Sequence, residues 1–187
     1  MKPRIEYDEN GRKMYILSIA NASWFALILF IPLLVFMVLP YYLIWGVNAL
    51  LAIKFKSFLF LVLFIVLGVV IHEFLHGMVW ALFAKRGFRD IRFGIKWEYL
   101  TPYCHCTSAL KVWQYIAGGI APLVFMGLVP AVWAMVTGNN LIMFFGIFYT
   151  WTAAGDILAV WMLRKFKGRQ LVYDHPEELG FILEDED

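Results

Sequence analysis

His72, Glu73 and His76 form a His-Glu-x-x-His pattern inside a run of apolar residues. On a helix, positions i and i+4 share a face, so the two imidazoles stand one turn apart with a carboxylate beside them. That set suits one chemistry: the ring nitrogens ligate a divalent ion and the carboxylate moves a proton. From Ser57 to Ala84 no other residue is charged. A charged side chain at the centre of a membrane helix costs roughly 2.5–3.5 kcal/mol. Ionisable groups kept at such depth are functional by default.

A hydrolytic zinc site takes three protein ligands and keeps one position open. His72 and His76 supply two. In the three C-terminal apolar runs the only acidic residues are Glu73 and Asp156. His76 lies eight residues before Ala84, and Asp156 lies eight before Arg164. At about 1.5 Å per residue both sit about 12 Å below the same boundary, so Asp156 is the expected third ligand. Glu98 is one rival, although an exposed loop glutamate is usually just solvated. Cys104-His105-Cys106 is another; on a strand the two cysteines share one face and His105 takes the other. Thr152 and Tyr149 lie where they could orient the Asp156 carboxylate. Gly118-Gly119 and Ala121-Pro122 read equally as a loosened wall beside the metal or as ordinary helix packing. Without a metal, the histidines and Asp156 would be hydrogen-bonded packing groups. The longer zinc pattern is absent, because Val79 occupies its glycine position and Leu82 its histidine position.

The elements that carry these residues follow from composition. The 187 residues are 62% hydrophobic and 16% charged, with the charges clustered. Apolar runs of about 20 residues span a bilayer, and the sequence predicts one integral membrane domain. Its spans are 57–84 (the motif helix), Val112–Thr137 and Leu141–Leu163, with an earlier span within the uncharged stretch Met14–Ile53. Pro40 marks the end of that first span near Leu39, and 41–53 becomes an interfacial or re-entrant segment ending at Lys54 and Lys56. Placing Lys2, Arg4, Arg12 and Lys13 with the basic residues of 85–111 and 164–169 on the cytosolic side favours four spans over five. The expected fold is therefore an all-α membrane protein of about four helices. A short membrane-associated β-hairpin joins the second and third, built from the alternating Ile91–Trp97 and the returning Tyr99–Cys106. Residues 1–13 and 164–187 read as cytosolic ends, the latter solvated and partly disordered. No cleavable signal peptide is expected, and the net charge of +2 gives no reason to expect nucleic acid. Cys104 and Cys106 are too close for an easy disulfide and read as a reduced pair.

With these residues in place, the chain resembles the site-2 group of intramembrane metalloproteases, and more closely the bacterial putative zincin peptidase family. The resemblance rests on His72-Glu73-Phe74-Leu75-His76-Gly77, Thr101–Cys106, Ala117–Pro122, Gly155-Asp156 and Asp174-His175-Pro176. It implies a core of a motif helix, a membrane-associated hairpin and a later Asp-bearing helix. Around Asp156 the chain departs from the site-2 pattern, reading Thr152-Ala153-Ala154-Gly155-Asp156-Ile157, and it carries no PDZ-like module.

The sequence thus leads to a zinc-dependent peptidase of the bacterial cytoplasmic membrane, acting on membrane proteins or membrane-associated peptides. His72, His76 and Asp156 hold Zn2+ and Glu73 is the general base. A catalytically silent zinc-binding scaffold or regulator is the alternative. A haem or ion-transport role ranks last, because haem needs facing histidines on two helices and one helix supplies both here.

Overall fold

A computed structural model describes residues 3–97, 101–175 and 178–184. In chain order, β1 (Arg4–Tyr7) and β2 (Lys13–Ile16) precede α1 (Ile19–Leu33) and α2 (Leu39–Leu51), which are joined by a π-helical turn at Leu34–Val38. Next come α3 (Phe55–Ala81), a 3-10 turn, β3 (Ile91–Lys96), β4 (Thr101–Cys106) and β5 (Leu110–Lys111). A second π-helical turn, Leu123–Leu128, joins α4 (Val112–Pro122) to α5 (Val129–Thr137). The chain ends with α6 (Asn140–Thr152), α7 (Ala154–Leu163), β6 (Leu171–Asp174) and β7 (Gly180–Leu183).

The protein is mostly helical with small sheets, so the all-α expectation needs amending. Three helical stretches are long and apolar enough to cross a membrane: Ala20–Leu51, Phe55–Ala81 and Val112–Thr137. The pair α6 and α7, bent by 48° at Ala153, would make a fourth. Their outer faces are studded with exposed apolar side chains such as Phe36, Phe55 and Leu43.

The first hydrophobic stretch is longer than expected. Helix continues through Pro40, because the π-helical turn Leu34–Val38 just before it shifts the hydrogen-bond register around the missing N–H. The break comes instead at Gly46, whose φ of +79° is readily reached only without a side chain. Just before it, Trp45 Nε1 donates to the Met135 carbonyl (3.0 Å) and Tyr41 OH to that of Gly138 (2.6 Å). The segment 41–53 is thus held against the α5–α6 turn. Gly138 ends α5 in the left-handed conformation, and the Asn139 side chain caps α6 by accepting from the Ile142 N–H.

The termini depart most from expectation. The described part of the tail is not merely a solvated end: β1, β2, β7, β6 and β5 form one five-stranded sheet in that order. Met14 pairs with Ile182 and Tyr173 with Ile182, so the tail strand β7 lies between β2 and β6. Its side chains are wholly buried, with Tyr15 stacked on Phe181 at 5.2 Å. The sheet and the inner ends of α3, α4 and α7 share one core, which includes Leu17, Trp80, Leu110, Leu163 and Val172.

The second sheet pairs β3 with β4 antiparallel, with Phe93 opposite Cys104. Tyr99 and Leu100 lie outside the described residues. Gly77 leaves room for this hairpin on the motif helix: a Cβ there would come within 2.5 Å of the Phe93 ring. Asp90 locks the approach. Its buried carboxylate accepts from the Ser108 hydroxyl, the Arg86 N–H (2.9 Å) and Arg86 Nε (2.7 Å), tying the end of α3 to the chain that leaves β4.

The Ser108 hydroxyl, and then Arg86, hold the Asp90 carboxyl down at about 2. A group depressed in the folded state stabilises fully above its unfolded value of about 4 and ceases to do so as pH falls through the folded value. Asp90→Asn should therefore lower the melting temperature in detergent at neutral pH. It should also flatten the acid dependence between about pH 4 and pH 2.

Candidate metal centre

Helix α3 presents His72 and His76 on its buried face, as the i, i+4 spacing requires. Asp156 comes from α7, and the bend at Ala153 governs how. The Leu141–Leu163 run is not one straight helix; it stops at Thr152 and restarts at Ala154, which puts Asp156 in the first turn of a new helix. The positive end of that helix favours the ionised carboxylate.

The three residues converge. His72 Nε2 lies 3.3 Å from Asp156 Oδ2, and His76 Nε2 lies 3.5 Å from Oδ1. All three donor atoms fit within 4.8 Å of one another, the one such His, Cys, Asp or Glu group among the described residues. Ligands at about 2.0–2.1 Å from a tetrahedral zinc stand about 3.3 Å apart, so the donor spacing fits that ion.

A second observation bears on what fills this space. His76 Nδ1 is 2.9 Å from the Gly118 carbonyl. A carbonyl only accepts, so Nδ1 carries a proton, and in the neutral ring Nε2 is left with a bare lone pair facing a carboxylate. Two such groups at 3.5 Å repel unless a cation sits with them, either a further proton or a metal ion. Both imidazoles are buried and Asp156 is partly buried, which raises the electrostatic cost of leaving the charge unbalanced.

Glu73 is on the same turn but outside the donor group, and its carboxylate faces the Cys104 backbone on β4. The hairpin therefore packs against the motif helix beside the spare carboxylate. Trp80 stacks on His76 from one side, with ring centroids 5.3 Å apart. The Tyr149 ring lies 6.2 Å from that of His72 on the other.

The remaining candidates fall elsewhere. Glu98 lies outside the described residues. Cys104 and Cys106 are both free and turned toward the core, while His105 Nδ1 meets the Asp174 carboxylate at 3.0 Å. Burial pushes the Cys106 thiol up to about 11 and that of Cys104 higher still, so neither is a ready thiolate ligand. Tyr149 and Thr152 do not orient Asp156 as expected: Tyr149 OH donates to the Ile65 carbonyl of α3, and Thr152 Oγ1 to the Tyr149 carbonyl (3.2 Å). Tyr149 instead ties α6 to the motif helix, where Gly68 makes room for its hydroxyl.

Sequence reasoning missed Asp174 as a structural node. It accepts from Tyr115 OH (2.7 Å) and from the Cys106 N–H (3.3 Å), besides meeting His105. One carboxylate thus joins the tail, the hairpin and α4. The signal was Asp174-His175-Pro176, a segment that carries the family resemblance but whose type and spacing give it no role.

The fold and this centre define a helical protein, apolar enough to span a membrane, with a site able to hold a metal ion between two of its helices. The chain belongs to the putative zincin peptidase family, whose profile matches residues 64–171, from the middle of α3 to the start of β6. That membership points to a zinc metallopeptidase. No match is found among curated proteins, nor among solved structures.

Purified protein is expected to carry zinc in a one-to-one ratio and to lose it in Asp156→Ala. The double variant Cys104→Ser, Cys106→Ser should keep it. Metal analysis after gel filtration in detergent checks all three.

Proposed function

We propose that the protein is an intramembrane zinc peptidase that cleaves membrane proteins or membrane-associated peptides. The observation that carries the reading is the convergence of His72, His76 and Asp156 at zinc-donor spacing, with Glu73 beside them but not among them. His72 and His76 would hold the ion through Nε2 and Asp156 through its carboxylate. A bound zinc ion supplies Lewis acidity to the scissile carbonyl and acidifies water to a pKa of about 7. Glu73, on the same turn of α3 as the histidines, takes a proton from the attacking water and returns it to the leaving amine.

A helical substrate hides its peptide bonds, so it must be held extended to be cut. The β3 strand lies beside the site and could hold an unwound segment by strand addition, with Phe93 and Ile95 exposed along it. This arrangement is similar to that of site-2 proteases.

We also read the chain as a single membrane domain with four crossings in a bacterial cytoplasmic membrane. The sharing of one sheet by β2, β5, β6 and β7 supports an even number of crossings between them. The basic residues after α3 and α7 support a cytosolic position for that sheet and for both ends of the chain.

The test is to map new protein N-termini in membranes of cells producing the wild type or Glu73→Gln. Cleavage sites should appear with the wild type and vanish in the variant, which should keep its zinc. Cleavage persisting in Glu73→Gln would remove Glu73 from the chemistry. Zinc bound by both with no new termini in either would favour a silent scaffold.

A further inference from the structure

We infer that Pro122 is a positioning residue for His76: by lacking an N–H it releases the Gly118 carbonyl, which then fixes the imidazole with Nδ1 protonated and Nε2 turned to the ion. This rests on the zinc reading above and deepens it. In an α-helix the carbonyl of residue 118 accepts from the N–H of residue 122. Here that residue is a proline, which has none to give.

The next N–H along the chain is also directed away. Leu123 donates to the Ile120 carbonyl, and from there the helix widens into the π-helical turn Leu123–Leu128. The Gly118 carbonyl is thus left facing α3 without its helical donor. A buried carbonyl in that state is destabilising unless another donor reaches it. His76 Nδ1 reaches it at 2.9 Å.

Gly118 itself is part of the device. A Cβ at this position would lie 2.1 Å from Trp80 Nε1, so only glycine lets α4 come close enough for the bond. Trp80 is fixed in turn, donating Nε1 to the Tyr115 carbonyl at 3.0 Å while its ring stacks on His76 at an interplanar angle of 21°. The imidazole is held at one nitrogen by a hydrogen bond and on one face by an aromatic ring, and the free nitrogen points at Asp156. Partners of this kind typically change metal affinity by about 10–100-fold.

The experiment uses full-length protein in micelles with 15N-labelled histidine, His76 being assigned by its loss in His76→Asn. In the wild type His76 should show a slowly exchanging Nδ1–H, with or without added zinc. A ring protonated only at Nε2 would overturn the inference. Pro122→Ala restores an N–H that competes for the Gly118 carbonyl. It should abolish the exchange protection and weaken zinc binding by about 10–100-fold. Pro130→Ala, later in the same span, should change neither. Unchanged exchange and unchanged zinc affinity in Pro122→Ala would also overturn it. A wild type with a protected Nδ1–H but no affinity for zinc would uphold the hydrogen bond and sink the zinc reading instead.

Discussion

Everything in this protein turns on a carboxylate held against two imidazoles inside an apolar layer. Nearby water would relax such a group by solvating it. In a low-dielectric setting, positive charge must balance it, and the surrounding backbone must keep the partners from rotating away. The chain meets both conditions with few residues. Asp156 starts a helix whose dipole favours its charge, and His76 is braced by Gly118 and Trp80.

The helices can only do this because they approach one another closely. Glycines at 68, 77 and 118 lie along α3 or facing it, and each gives its space to a particular neighbour: Tyr149, the hairpin, and Trp80. These contacts put the motif helix in the middle of the assembly. Further out, Asp90 and Asp174 both pin the open end of the hairpin, so the strands beside Glu73 are set by two carboxylates that never touch the centre. A rigid hairpin matters to the chemistry proposed, because a general base misplaced by an ångström loses its proton path.

Much of this was legible in the sequence, for a physical reason. Against an uncharged background, His72, Glu73, His76 and Asp156 stand out, and depth matching needs only the helical rise. The third span, Val112–Thr137, was equally plain. The terminal sheet was not legible. Its strands are four residues or fewer, too short for periodicity to register, and β2 finds β7 across nearly the whole chain. The buried run Gly180–Leu183 was hidden by acidic neighbours such as Glu178 and Glu184. The bend at Ala153 had no proline to announce it. The π-helical turns, by contrast, had a signature that went unread: each lies between prolines at 32 and 40, or at 122 and 130.

The pairing of β2 with β7 carries a consequence for how the molecule is made. Residues 13–16 leave the ribosome well before residues 180–183, so the sheet cannot close until both have been synthesised. A nascent chain that has formed α3 but not α7 holds two histidines without their carboxylate. Its hairpin also lacks Asp174. The site is therefore completed only once α7 has been made, and a chain cut short before it is left without a complete centre.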